Sequence, residues 1–100
     1  MIRGTTPTHI FRLPISTDTL KEIRITYEQY SKTVLEKTER DVNLNENEIR
    51  LKLTQQETLK FSPRITVKLQ MKVLTTDNTV LASPVKELSV EEILNEEVLE

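Results

Sequence analysis

Any chemistry in this chain would have to come from very few residues. His9 is the only histidine, and there is no cysteine. A metal site built on His9 would therefore need several carboxylates around it, because no thiolate or second imidazole can help. A nucleophile–base pair would also need His9, and no Gly-x-Ser-x-Gly elbow exists to present a serine. Paired carboxylates could act as acid and base on a glycoside. Most acidic residues instead stand next to a base, as in Glu22-Ile23-Arg24 and Glu48-Ile49-Arg50, which is the pattern of a solvated strand face. Gly4 is the sole glycine, so there is no glycine-rich phosphate loop. His9 reads as an ordinary strand residue. No catalytic, metal-binding or cofactor-binding residue is expected, no cofactor is implied, and the chain reads as a non-enzyme.

Binding is the other class of function. Lys68, Gln70 and Lys72, with Arg50 and Lys52 on another strand, could form a basic sheet face. A face for single-stranded nucleic acid also needs aromatic rings on which bases stack. Tyr27 falls on an inward register and Tyr30 at a turn, while Glu22, Glu28 and Glu48 interrupt the positive charge. A solvated outer face is the expectation, and nucleic acid is disfavoured as a partner. A sugar-binding face would want exposed aromatics, and the only aromatics are Phe11, Tyr27, Tyr30 and Phe61.

The sharpest binding candidate lies at the C-terminal end. The formal net charge is −2, but residues 91–100 hold Glu91, Glu92, Glu96, Glu97 and Glu100 with no base, leaving a mildly basic body. Ser89-Val90-Glu91-Glu92 is a Ser-x-x-Glu capping box, with Val90, Leu94 and Val98 at steps of four and Ile93 beside them. Glu91 and Glu92 sit where the positive end of a helix dipole favours acids. A helix of about ten residues does not persist alone in water. The segment is either a frayed end or, if ordered, a conditional docking element, and the expectation tested is the second. Val90, Ile93, Leu94 and Val98 would form its partner-docking stripe, and a basic surface on the body, a neighbouring copy or another protein would order it.

The elements that must position these residues follow a period of two. In Ile65–Leu74, ITVKLQMKVL, the residues Ile65, Val67, Leu69, Met71 and Val73 alternate with polar ones. That places them on one face of a long strand, around which the rest must pack. Residues 21–29 repeat the pattern with Ile23, Ile25 and Tyr27 inward, and 33–38 return after a turn at Ser31-Lys32. Residues 8–13 form a short strand stopped by Pro14, as suits an edge. Val42 and Leu44 mark another short strand, and Ile49, Leu51 and Leu53 point inward from 48–53. Thr54-Gln55-Gln56-Glu57 is a capping box for one or two helical turns before Pro63. Strands at 79–83 and 85–90 complete the set.

The predicted fold is all-β: an antiparallel two-sheet sandwich of about seven to eight strands with one short helical crossover. The crossover resembles the E–F connection of an immunoglobulin-like domain, and a small barrel is the alternative. The expected organisation is an N-terminal arm over 1–7, a β-sandwich over 8–90 and an acidic tail over 91–100. One hundred residues suffice for a single core. No apolar run approaches the roughly 18 residues of a membrane span. Arg3 has no apolar stretch behind it, so no secretory signal is expected. The lack of cysteine suits a reducing compartment.

Several phrases together carry a resemblance: RGTTPTHIFRLP at 3–14, YEQ at 27–29, VLEK at 34–37, LTQQETLKF at 53–61 and LASPV at 81–85. As a set they are similar to a family of small uncharacterised proteins from phages and prophages of Gram-positive bacteria. The resemblance implies a virion-associated or assembly-related β-domain. It implies protein partners such as phage head, neck or tail proteins, or further copies of itself, and no membrane. The expected location is the virion or the host cytoplasm. The rival expectation is a cytosolic phage-encoded protein that contacts host protein or nucleic acid. The family supplies no active-site residues.

Overall fold

A computed structural model describes all 100 residues. It is an all-β antiparallel sandwich of eight strands with a single α-helical turn and two short 3-10 turns, Thr17–Thr19 and Glu39–Asp41. The strands are β1 (Thr8–Arg12), β2 (Leu20–Gln29), β3 (Lys32–Thr38), β4 (Asn43–Asn45), β5 (Glu48–Lys52), β6 (Val67–Thr75), β7 (Val80–Ala82) and β8 (Lys86–Leu88), with α1 (Gln55–Thr58) between β5 and β6. The smaller sheet runs β1-β5-β4 and the larger β3-β2-β6-β7, with β8 also on β6. Because β7 pairs with residues 72–74 of β6 and β8 with residues 67–69, the two share one rank at the edge of the larger sheet.

The alternating pattern explains why β6 is central. Val67, Leu69, Met71 and Val73 are buried, while Lys68, Gln70 and Lys72 are exposed. Ile23, Ile25 and Tyr27 of β2 lie beside them on the same face, in register Ile23↔Val73, Ile25↔Met71 and Tyr27↔Leu69. Phe11 and Leu13 at the β1 side and Ile49, Leu51 and Leu53 at the β5 side cover that face from the smaller sheet. Burying a side chain of this size contributes about 1.5–3 kcal/mol, and these residues form one continuous cluster.

The Thr54 capping box forms as expected. The Thr54 hydroxyl accepts the Glu57 N–H at 3.2 Å and the Glu57 carboxylate accepts the Thr54 N–H at 2.8 Å. Glu57 also pairs with Lys37 of β3, tying α1 to the larger sheet. The crossover from β5 through α1 to β6 passes between the sheets, as the E–F connection does in immunoglobulin-like domains. The strand order has its own character, since β2 pairs with β3 and β6 rather than with β1 and β5.

Some boundaries move. The long strand begins at Val67, not Ile65, because Arg64 takes a left-handed φ of 67° after Pro63 and turns the chain. The β2–β3 hairpin turns at Tyr30-Ser31 rather than Ser31-Lys32, with both residues left-handed. The C-terminal helix expected from Ser89-x-x-Glu92 does not form, and no helix lies beyond α1. A helix capped at Ser89 would need the carbonyls of Val90 and Glu91 for its own first turn. Here Val90 O accepts the Arg64 N–H at 2.9 Å and Glu91 O accepts the Arg3 N–H at 3.2 Å. The Glu91 N–H in turn donates to Met1 O at 2.9 Å, so the start of the tail is an extended partner of the N-terminal arm.

Candidate interaction groove

The site with the most distinctive geometry is a groove between β1 and the β7–β8 edge. It follows from the unequal widths of the sheets. The larger sheet has four ranks, β3, β2, β6 and β7–β8, and the smaller has three. Beside β1 there is no fourth strand to lie over β7–β8. The resulting groove holds about 360 Å³, lined by Phe11 and Leu13 from the β1 side, Met71 and Val73 from β6, and Leu81 and Pro84 from the edge. Four of these six belong to the hydrophobic core, so the groove reaches down to it. Arg12 and Lys86 also line it and give it a basic character. A shallower depression of about 270 Å³, lined among others by His9, Leu69, Lys86 and Leu88, continues beside β1 toward Thr8.

Both walls are unpaired strand edges. Leu13 N–H donates to Asn47 O at 2.8 Å and Leu53 N–H to Pro7 O at 3.0 Å. In an antiparallel pair, hydrogen-bonded and non-bonded residue pairs alternate. With the register His9↔Leu51 and Phe11↔Ile49, the odd-numbered residues bond to β5. Thr8, Ile10 and Arg12 therefore turn their N–H and C=O groups to the free edge. On the opposite wall, Ser83 N–H bonds Met71 O at 2.8 Å and Thr75 N–H bonds Thr79 O at 2.9 Å. The same alternation leaves Val80 and Ala82 facing outward. At the kink before Pro84 the Ser83 hydroxyl takes over as acceptor for Met71 N–H at 3.0 Å. Pro84 has no N–H to offer, and such an interruption blunts that edge against uncontrolled pairing.

A second feature closes the opposite end of the sandwich. Arg3 donates from Nε to Phe61 O at 2.7 Å and from a terminal nitrogen to Leu59 O at 3.0 Å, beside the end of α1. Its other terminal nitrogen meets Glu96 at 2.8 Å. Arg64 pairs with Glu92 at 2.7 Å, and the Gln55 side-chain amide exchanges two hydrogen bonds with the Leu99 backbone, at 2.8 and 2.9 Å. The tail thus lies across α1, on the chain's own body.

The four docking residues expected on the tail fall in different places. Val90 is 4% exposed and part of the core. Ile93 and Val98 are half-buried, Ile93 packing close to Gly4. Leu94 projects into solvent at 102% exposure. With the segment extended, no single apolar stripe joins them.

His9 is not an isolated strand residue. Its Nδ1 lies 2.5 Å from the Tyr27 hydroxyl, and Tyr27 in turn packs on Phe61 with ring centroids 5.7 Å apart. Burial pushes the Tyr27 phenol well above its ordinary range, reinforced by the negative charge of Glu57. Burial likewise holds the His9 imidazole below its ordinary value. Gln29 is a further buried polar residue. It bonds Ser62 O and Ile65 O at 2.9 Å each and accepts the Ser62 N–H at 2.8 Å, fixing the loop from α1 into β6. The inward register Ile23-Ile25-Tyr27 continues to Gln29, so a buried amide was legible, though not its partners. Lys68 lies between Glu28 of β2 and Glu87 of β8 in register, while Lys72 stands between Arg24 of β2 and Ala82 of β7.

Comparison with known protein families, curated proteins and solved structures returns no match. The phage resemblance therefore stands on the phrases that carry it.

Proposed function

We propose that the chain is a non-enzymatic structural or assembly-interaction module of a phage particle, acting through protein–protein contacts made at the groove beside β1. The single observation that carries this reading is the open sandwich edge. Two unpaired strand edges flank an apolar channel whose floor is made of core residues. Such an arrangement suits recognition by strand addition, where backbone hydrogen bonds supply affinity and alternate side-chain pockets supply specificity. The phage and virion part of the reading draws its support from the sequence resemblance. The placement of Lys68 between two carboxylates favours protein over nucleic acid as the partner.

The test is association with particles. The chain is produced together with phage head, neck and tail proteins, and particles are purified and probed for it. Incorporation that is lost when the groove is altered by Lys86→Glu is the expected result. A chain that never enters particles and recovers none of those proteins would overturn the reading. A salt-sensitive shift with single-stranded DNA or RNA would instead favour a cytosolic phage-encoded binding protein.

A further inference from the structure

We propose that the groove beside β1 takes an extended segment of another protein as its fourth strand, and that this segment carries a carboxylate between two apolar side chains. The inference rests on the interaction-module reading above and names the chemistry of the partner.

Lys86 is the residue that sets this chemistry. It stands opposite Leu69 in the β6–β8 register. Cross-strand partners share a face of the sheet, and Leu69 is buried, so Lys86 belongs to the inner face of the larger sheet. Leu88, opposite Val67, and Leu81, opposite Val73, belong to the same face. The larger sheet is one rank wider than the smaller, so these three side chains have no strand above them. Leu81 and Leu88 pack partly against the core. Lys86 is exposed and enters none of the chain's ion pairs.

The two hollows beside β1 meet at this lysine. Phe11 and Lys86 line both of them. The hollow of about 360 Å³ extends from there to Leu13 and Leu81, and the one of about 270 Å³ to His9 and Leu88. A strand added to β1 takes up the outward N–H and C=O groups of Thr8, Ile10 and Arg12. Its residues opposite His9, Phe11 and Leu13 then point inward. The outer two enter the apolar hollows, and the middle one meets Lys86. The resulting pattern is apolar-x-acidic-x-apolar, which reads the same for a parallel or an antiparallel strand. A carboxylate is the group that fits the middle position. An apolar side chain there would strip the ammonium of water and give it no partner.

A second copy of this chain does not meet the requirement. Whatever fills the groove must turn a bare inner face to β7–β8. In a second copy the strands of the smaller sheet, and β6, β2 and β3 of the larger, already face the opposing sheet. Only its β7–β8 rank is bare, and that rank would set Lys86 of one copy against Lys86 of the other. The chain's own tail is not free for the role either, because Arg3 holds Glu96 and Gln55 holds the Leu99 backbone.

The experiment selects for the partner chemistry. Random nonapeptides displayed on yeast are selected for binding to the full chain and, in parallel, to Lys86→Glu. Lys86 is exposed, so this exchange leaves the fold intact. The expected result is enrichment of apolar-x-acidic-x-apolar peptides on the unaltered chain and of apolar-x-basic-x-apolar peptides on Lys86→Glu. A synthetic copy of the most enriched acidic peptide, followed by fluorescence anisotropy, should bind at least about tenfold more weakly to Lys86→Glu and to Ile10→Pro. The Ile10 N–H faces the free edge, so proline there blocks an added strand while sparing the bonds to β5. Moving the acid one residue along the peptide should weaken binding to a similar degree, because it turns the carboxylate to the outer face.

Enriched peptides with no acid at the middle position, or the same peptides on both chains, would overturn the inference and reduce Lys86 to a charge that guards an exposed edge. Enrichment of no peptide at all would overturn it too. If Lys86→Glu then still abolished incorporation into particles, the interaction-module reading would stand without it. Self-association of the full chain that is lost in Ile10→Pro, and that no peptide displaces, would replace the foreign segment with a second copy. Peptides selected as expected, for a chain that never enters particles, would uphold the inference and remove the phage reading instead.

Discussion

His9 Nδ1 and the Tyr27 hydroxyl lie 2.5 Å apart, joining the edge strand of the smaller sheet to an inner strand of the larger one. Their rings are tilted by 35° with centroids 5.6 Å apart. Burial opposes charge on both groups, raising the phenol and lowering the imidazole. A neutral phenol and a neutral imidazole make a consistent pair. The phenol donates its O–H, Nδ1 accepts it, and the imidazole proton sits on Nε2, an assignment made from the hydrogen-bond network.

This pair predicts an acid response in two stages. His9 is held below its ordinary value of 6.5 in the folded chain. As pH falls below that value the unfolded chain takes up a proton that the folded chain resists, so stability declines until the folded pKa is reached. Glu57 governs part of the second stage. Burial alone would raise it, but hydrogen bonds from Lys37 and the Thr54 N–H outweigh burial and hold it below its ordinary 4.5. The stability it contributes is present above that value and lost as pH falls through its folded pKa. Melting temperature followed against pH should show both declines. His9→Gln should remove the upper one and Glu57→Gln should flatten the lower. An upper decline that persists in His9→Gln would assign it elsewhere.

The β2–β3 hairpin carries strain that substitution can relieve. Tyr30 and Ser31 have φ values of 54° and 60°, the pair of left-handed residues that a type I′ turn requires. Asn-Gly is the usual solution, and this chain uses neither residue. Ser31→Gly should relieve about 1–2 kcal/mol of left-handed strain against about 0.5–1 kcal/mol of added freedom in the unfolded chain, a small net gain that raises the melting temperature by a few degrees. Tyr30→Asn should act in the same direction, because Tyr30 is 71% exposed and its ring contributes little to the core. A fall in melting temperature for Ser31→Gly would mean that the serine side chain matters more than the turn.

The sandwich itself was legible because its strands obey one period. Ile23-Ile25-Tyr27, Ile49-Leu51-Leu53 and Val67-Leu69-Met71-Val73 all lie inward, and no helical pattern competes with them. Leu69→Ala should therefore cost about 2–5 kcal/mol in chemical denaturation. A cost near zero would break the inference from alternation to core. The groove was not legible, because it depends on strand order, and order is decided by contacts far apart in sequence. The two capping boxes show the same limit. Thr54-x-x-Glu57 nucleates α1, where Thr58 is buried and Glu57 meets Lys37. Ser89-x-x-Glu92 has an equal local motif, but the Val90 and Glu91 backbone groups are engaged by Arg64, Met1 and Arg3. Tertiary pairing overrides the local preference there.

The same pairing divides the C-terminal region at a sharp place. Val90 is 4% exposed within the core, whereas beyond Glu92 the tail is held by Arg3–Glu96 and by Gln55 on Leu99. Truncation after Glu92 removes the Arg3–Glu96 pair, the two Gln55–Leu99 hydrogen bonds and the half-buried Ile93 and Val98, and should lower the melting temperature by several degrees. Val90→Ala should cost about 1–3 kcal/mol. Arg3→Ala should cost more than truncation does. Besides Glu96, it loses the hydrogen bonds to Leu59 O and Phe61 O, leaving two part-buried carbonyls without that donor. Hydrogen exchange gives the local readout: in Arg3→Ala the amides of Arg64, Glu91 and Leu99 should lose protection, while those of β2 and β6 keep theirs. If truncation after Glu92 instead lowered the melting temperature as much as Val90→Ala or more, the tail would contribute to the core as Val90 does.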